Sequence, residues 1–473
     1  SWFFHTLGVR IVTSTRIVPE GIAKQESNYC FPTEIAHGAI QDVLNQGVDF
    51  IFLPHFRDMP STEDVHACVC PLTQGLPYFA RQAFGLADEM VLRPVLSLKD
   101  GFEASRGAFE NVAVQLGFTR EEGSRAYDKG IEEYRRFLDA YRTLGKEVLR
   151  EVQSNPDRVF IALLGRPYNA FTRDANMGIP RKFTSQGVTI LPFDMIYSEE
   201  GEIPPNNYWY YGQQNMRAVQ QVKRVENLYL AWISNFSCAP DSFLLHYVRW
   251  MMGQKPYLVL EIDSHTADAG LDTRIEAFLD IVESYRRHVT PDDEKPFERR
   301  YSIAIKQEYC DVVDRKTGKR YDIRDPNVHL VWPSMGDLST EAMDVVARRQ
   351  GILSTHLPLP DVYSTQLARN VASGKECIPA LLVLGSVLKF FQEHPPNQDD
   401  GIYVVFVPST LGPCRTGQYH VFFDRLFEEM GWENVVLLVA NSENSYREMG
   451  ATFNQDVWRA LVLGDTFTDI RTS

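Results

Sequence analysis

Two rhythms of apolar residues divide this chain. Short continuous apolar runs at Val48–Leu53, Val159–Leu164, Leu228–Ile233, Pro256–Ile262 and Ile402–Val407 read as strands buried on both faces. Between them, residues spaced to put one apolar stripe on a helix occur at Glu34–Gln46, Leu72–Gly85, Ile179–Gln186, Tyr208–Val225, Asp241–Met252, Thr273–Arg287 and Ala380–Gln392. Val9–Ser14, Glu89–Leu98 and Val188–Pro192 add β-rich stretches. Residues 102–153 have the spacing and charge density of long helices, most clearly Tyr127–Val152. Strands alternating with helices of this length predict right-handed βαβ units and parallel sheets. The expected fold class is therefore α/β, with repeated Rossmann-like, doubly wound parallel sheets and a helical excursion.

The rhythm breaks at the charged, proline-bearing stretch 289–300, which includes Pro291-Asp292-Asp293-Glu294-Lys295-Pro296. Residues 301–327 give no clear pattern beyond a turn at Asp314–Gly318, and the βα rhythm resumes at Val328. Three domains are expected, at residues 1–153, 154–290 and 291–473, the last repeating features of the first.

Composition narrows the function. The 473 residues carry a formal net charge of −14, and no basic stripe offsets it, which argues against coating nucleic acid. No apolar run approaches the ~20 residues of a membrane helix. Seven cysteines in a chain this long do not make a disulfide scaffold. With the acidic balance and no visible leader, they point to a reducing cytoplasm. The opening Trp2-Phe3-Phe4-His5-Thr6 already reads as helix, as expected for a piece of a longer polypeptide. No phosphate loop of the G-x-x-x-x-G-K-[ST] type occurs, so the chain itself is not expected to hydrolyse ATP.

Two cysteine-bearing segments resemble each other. Cys30-Phe31-Pro32 precedes a helix, then a strand ending in Pro54, then Cys70-Pro71; Cys377-Ile378-Pro379 precedes a helix, then a strand ending in Pro408, then Cys414. The spacings are 40 and 37 residues. Such self-similarity implies two related units with a shared chemical task. Cys238 follows the strand Leu228–Ile233 and precedes the helix at Asp241. All five thus sit on βα loops or at helix starts, where unpaired N–H groups stabilise thiolates and anionic clusters. Proline just after three of them suits a first helical turn. Soft thiolates on separated loops suit iron–sulfur clusters or zinc, but Cys68-Val69-Cys70 is the only close pair, and its spacing fits structural zinc poorly. A cubane held by three distant cysteines, with one iron left open, is the expectation. Cys68 yields to Cys70 because Cys70 has the Cys-Pro context, and Cys310 has no repeat partner and reads as core filling.

Other residues have competing readings. Arg166, Tyr168 and Asn169 end a strand, where they could contact a cluster or anion, or simply shape a loop and cap a helix. Glu261, Asp263, His265 and Asp268 read as capping and charge pairing rather than a metal site. His37 reads as a packed histidine before a hydrogen bond to sulfur, and Arg415 could offset cluster charge or form a surface ion pair.

Taken in order, SNYCFPTEIAHG (27–38), VDFIFLP (48–54), CPLTQGLP (70–77), GRPYN (165–169), NMGIP (176–180), NFSCAPDS (235–242), EIDSHTADAGLDTRIEAF (261–278), ECIP (376–379) and GPCRTGQY (412–419) resemble the 2-hydroxyacyl-CoA dehydratase-like region of the large acyl-CoA dehydratase activase-related proteins. The resemblance implies a [4Fe-4S] cluster between Rossmann-like domains, or a double-cubane [8Fe-9S] cluster as in related proteins. By position it assigns Cys30, Cys70 and Cys238 to the first unit's ligands and Cys377 and Cys414 to two of the second's. It further implies an ATP-dependent activator of acetate-kinase/actin-like fold, fused or separate, as electron donor, and a small-molecule substrate. The expected function is an iron–sulfur reductase-like component receiving low-potential electrons; a homodimer is compatible. Radical dehydration of a 2-hydroxyacyl-CoA is the alternative activity, and a non-catalytic electron relay or ATPase-docking scaffold the alternative class.

Overall fold

The computed structural model describes all residues except 28–29, 62–65, 289–298, 397–400, 413 and 473. The domain boundary expected at 289–300 lies almost wholly outside the described residues. The chain forms two compact units, Ser1–Pro291 and Asp292–Ser473.

The first unit opens with short helices α1 (Trp2–Thr6) and α2 (Pro19–Ile22), then α3 (Phe31–Asn45). Strands β1 (Ile51–Phe52) and β2 (His55–Asp58) lead to α4 (Pro71–Phe84), followed by β3 (Val91–Leu92) and β4 (Val95–Ser97). β1 pairs in parallel with β3, and β2 with β4. Leu53 N–H reaches Leu92 O and His55 N–H reaches Pro94 O, so the two pairings are one ladder interrupted where Pro54 and Pro94 supply no donor. The doubly wound sheet expected within 1–153 is thus a two-stranded ladder among the described residues. Val9–Ser14 is not a strand, because no neighbouring chain offers it a ladder.

Helices α5 (Arg106–Gln115) and α6 (Arg120–Ser154) follow. The 35-residue α6 starts at a capping box in which Thr119 and Glu122 satisfy each other's backbone N–H groups. Then come β5 (Phe160–Leu164), α7 (Pro167–Ala170), α8 (Ile179–Ser185), β6 (Thr189–Pro192), α9 (Phe193–Ile196), α10 (Tyr210–Arg224), β7 (Leu228–Asn235), α11 (Asp241–Met252), β8 (Tyr257–Ile262) and α12 (Asp268–His288). The four strands form a parallel sheet in the order β6-β5-β7-β8. Every residue of β5 and β7 is buried, which is why their sequences read as apolar runs without alternation.

The second unit begins with an antiparallel sheet of β9 (Tyr301–Ile305), β10 (Cys310–Asp314) and β11 (Arg320–Asp322). The expected turn at Asp314–Gly318 links the last two, with Gly318 at φ +72° and its N–H on Asp314 O at 2.7 Å. β12 (Val328–Trp332), α13 (Asp337–Arg349), β13 (Leu353–His356), α14 (Val362–Val371), α15 (Ile378–Glu393), β14 (Ile402–Ser409), α16 (Thr416–Glu429), β15 (Val435–Asn441) and α17 (Ala451–Thr472) follow. The parallel order is β13-β12-β14-β15, the same 2-1-3-4 order as in the first unit. Tyr301, Cys310 and Val312 from the antiparallel strands, and Ile323 just after β11, join the core with Trp332 and Phe406, so Cys310 fills core space.

Candidate functional site

In a 2-1-3-4 sheet the first strand's connection runs one way and the third strand lies on the other side. A crevice therefore opens beyond the carboxyl ends of those two strands, where ligands bind in open α/β sheets. In the first unit these strands are β5 and β7, and the loops leaving them carry Gly165-Arg166-Pro167 and Cys238. Gly165 sits at φ +132°, and a Cβ there would lie 2.5 Å from Ile233 O. Asn215 holds that turn from α10: its Oδ1 accepts Gly165 N–H at 2.9 Å, and its Nδ2 donates to Gly165 O at 3.0 Å and Tyr211 O at 2.6 Å.

The turn sends Arg166 inward. It is the residue before α7 but makes no capping bond; its side chain is 8% exposed and pairs at 3.2 Å with Asp241, which is 1% exposed. Asp241 Oδ2 also accepts from Ser234 Oγ at 2.5 Å and Trp232 Nε1 at 3.4 Å. Asn235 Oδ1 accepts from Asn169 Nδ2 at 2.6 Å, and Asn235 is anchored by donating to Ile262 O. Arg166 lies over the Tyr168 ring, 5.3 Å from its centroid. Arg166 Nε, Asp241 Oδ1 and Asn169 Oδ1 are buried without a hydrogen-bond partner among the described residues.

The thiols meet this network. Asp241 N–H donates to Cys238 Sγ at 3.4 Å. Burial pushes the Cys238 thiol well above its ordinary pKa, against the pull of Arg166. Burial alone would lower the Arg166 pKa, but Asp241, with Cys238, Tyr168 and Cys70, carries it well above the usual value. Cys70 arrives from the first ladder: it is the N-cap of α4, with Pro71 in the first turn. Its segment is stitched to the start of α10, since Cys68 N–H bonds Tyr208 O at 2.7 Å, Tyr210 N–H bonds Cys68 O at 2.9 Å, and Gln213 Nε2 bonds His66 O at 2.7 Å. Cys70, Arg166, Tyr168, Trp209, Pro240 and Leu244 line one small cavity of about 20 Å³, room for about one water.

Cys30 is the N-cap of α3, and the next residue, Phe31, packs against the core of the β5–β8 sheet. Among the described residues no three Cys, His, Asp or Glu side chains converge as a metal-binding group. Cys70 and Cys238 both lie near enough to Arg166 to act on its charge, and Cys30 stands before Phe31, which packs on the core of the β5–β8 sheet. The donors fit an anionic, soft-ligand group: two thiols ahead of helix N-termini and a buried guanidinium with an unbonded Nε. The volume fits only if the α4 start and the β7 loop separate.

In the second unit Cys377 is the N-cap of α15 and its Sγ lies 2.7 Å from Tyr419 Oη on α16. Cys414 is exposed in the loop after β14, with Sγ 3.1 Å from Thr416 Oγ1. Burial and both thiols raise the Tyr419 pKa far above a free phenol's. The neighbouring His420 is driven down to about 4 by burial, and its Nδ1 has no partner among the described residues.

The remaining candidates resolve simply. His37 is buried, bonds Thr33 O at 2.8 Å and stacks on Phe84. Asp263 Oδ1 accepts His265 N–H at 2.9 Å, and Asp268 opens α12 and pairs with Lys182 at 3.2 Å, so this acidic group caps and pairs. Asp241, Asn215, Asn235 and Tyr419 escaped the sequence reading. The available signal was polar residues placed inside otherwise apolar elements next to cysteine loops.

Comparison with known proteins agrees for part of the chain. No curated protein matches it. Among solved structures, the E. coli RcsC C-terminus, containing linker region and phosphoreceiver domain, aligns at 9% identity over 67% of this chain and 96% of that one, with a TM-score of 0.13, too low to carry an argument. No helix among the described residues is long and apolar enough to cross a membrane. Residues 1–196, a stretch that includes Cys30, Cys70 and the Arg166 turn, match the family model described as a CoA enzyme activase uncharacterised domain.

Proposed function

We propose that this chain is the electron-accepting component of an ATP-coupled CoA-enzyme activation system, with an iron–sulfur site in the first unit. The observation that carries the reading is the buried Arg166–Asp241 pair at the crevice between β5 and β7, with Cys238 Sγ on the Asp241 N–H and Cys70 in the cavity that Arg166 lines. Cys70 and Cys238 would hold the group, with Cys30 brought in from the α3 start as third ligand. A cluster held there would supply a low-potential one-electron carrier. Arg166 would offset its negative charge, since a buried cation beside thiolates lowers the cost of keeping them ionised. Trp209, Leu244 and Val69 would keep water from the sulfurs, and the Asn215 and Asn235 bonds would fix the two loops. Cys377 and Cys414 are proposed as a second thiol pair with the same ligand chemistry, differently furnished.

The test is ATP-dependent reduction. Anaerobically purified chain would be mixed with a CoA-enzyme activase of acetate-kinase/actin-like fold, dithionite and Mg-ATP, and the visible absorbance followed. Bleaching that requires ATP and is lost in Cys238→Ser supports the reading. An absorbing protein that never bleaches with ATP contradicts the electron-acceptor role, and a colourless one contradicts the cluster.

A further inference from the structure

A second cavity, of about 410 Å³, lies beside α6, α9 and α10 in the first unit. It reaches towards the thiol crevice through Tyr211, which lines both spaces. Five tyrosines line it, Tyr134, Tyr141, Tyr197, Tyr210 and Tyr211, together with three phenylalanines. Nothing in the proposed thiol chemistry uses this space.

Its charges are unequal in what they have to bind. Arg142 is already ion-paired with Glu199, and Arg217 Nε donates to Gly201 O at 2.8 Å. No lysine lines the cavity. Asp194 differs: among the described residues its side-chain hydrogen-bond partner is neutral, the Tyr141 hydroxyl at 2.8 Å. Burial raises the Asp194 pKa, opposed by Tyr141 and by backbone N–H groups of Asp194 and Met195, with no cationic side chain contributing. A partly buried carboxylate without a cation is costly, and a bound cation relieves that cost. Aromatic rings are the surface that binds a weakly hydrated organic cation best, through cation–π attraction.

From the cavity's size, its rings and its uncompensated carboxylate, we infer that it is a binding site for a small organic ammonium ion, with Asp194 as counter-ion and the tyrosines as walls. The cavity has ample room for a ligand of choline size. An anion near Asp194 would meet the repulsion of its carboxylate, while Arg142 is already paired with Glu199.

The inference does not depend on a cluster, so its test reads binding alone. Calorimetric titration of the full chain would use three probes of one shape: choline, its neutral analogue 3,3-dimethylbutan-1-ol, and the anion 3,3-dimethylbutyrate. Choline should bind, and the other two should bind at least about tenfold more weakly. Asp194→Asn should weaken choline at least about tenfold. Near-UV dichroism would show whether that variant keeps its packing. Should it not, Phe137→Leu at the exposed rim removes a ring while keeping the carboxylate, and should weaken choline a few-fold. Equal binding of the neutral analogue, preference for the anion, failure of choline to bind, or indifference to both substitutions would overturn the assignment.

Discussion

In the first unit the loop after the third strand of a 2-1-3-4 sheet carries Cys238 into a setting of Arg166, Asp241 and Asn235, all buried. In the second unit the equivalent loop, after β14, leaves Cys414 exposed beside Thr416, and its companion Cys377 rests on a phenol. Strand order is the same, so topology fixes where each cysteine stands relative to its sheet. What differs is the charge around it. The first crevice has an internal cation balanced by a carboxylate and braced by asparagines; the second sets its thiols beside the hydroxyls of Tyr419 and Thr416. The fold supplies the position, and a few buried polar residues decide what the sulfur can do there.

The largest break in this comparison should come from Arg166→Met. It leaves Asp241 buried without its cation, and losing one partner of a buried pair costs ~3–5 kcal/mol. Urea denaturation should show the loss as a lower midpoint; a change below about 1 kcal/mol would mean that the pair is not what braces the crevice. Next comes Gly165→Ala, which meets Ile233 O at 2.5 Å from a φ of +132°, and should cost ~2–4 kcal/mol. Gly412→Ala in the second unit, at φ +146° with nothing within 4 Å, carries backbone strain alone and should cost less, ~1–2 kcal/mol.

Acid should act on the second unit through His420. Its folded pKa is depressed from 6.5 to about 4 by burial, so between those values the unfolded chain binds a proton that the folded one refuses. Stability contributed by the neutral ring is therefore present above about pH 6.5 and lost as pH falls towards 4. His420→Gln should flatten the pH dependence of the urea midpoint in that window, and an unchanged slope would contradict the assignment. The smallest effect is expected for Tyr419→Phe, ~0.5–1.5 kcal/mol, read from the urea midpoint.

Much of the architecture was legible because fully buried strands leave unbroken apolar runs: Val159–Leu164 and Leu228–Ile233 announced β5 and β7 nearly residue for residue. The helix starts at Cys30, Cys70 and Cys377 were legible from their prolines, which suit a first turn. The antiparallel strands β9–β11 were not, because three to five residues of mixed polarity give no resolvable period. The strands in residues 48–98 were expected unbroken, but Pro54 and Pro94 supply no donor and split the ladder into the short pairs β1–β3 and β2–β4. Within the site, the cysteines could be read from their repeat. Arg166 could be read as a possible contact to a cluster or anion, but its pairing with Asp241 could not, because an aspartate at a helix start looks like ordinary capping. Only the approach of β5 and β7, which binds residues 75 positions apart, turns them into a buried pair.

The most direct test of the account is the iron and acid-labile sulfide content per chain, measured on anaerobically purified protein beside its Cys238→Ser and Cys414→Ser variants. The account predicts about four of each in the first unit's site, or about eight if the second thiol pair is also filled. Cys238→Ser should remove the first site's share, and Cys414→Ser should leave it in place. Iron and sulfide near zero after anaerobic reconstitution, or content indifferent to Cys238→Ser, would contradict the claim that the crevice between β5 and β7 is a thiolate cluster site.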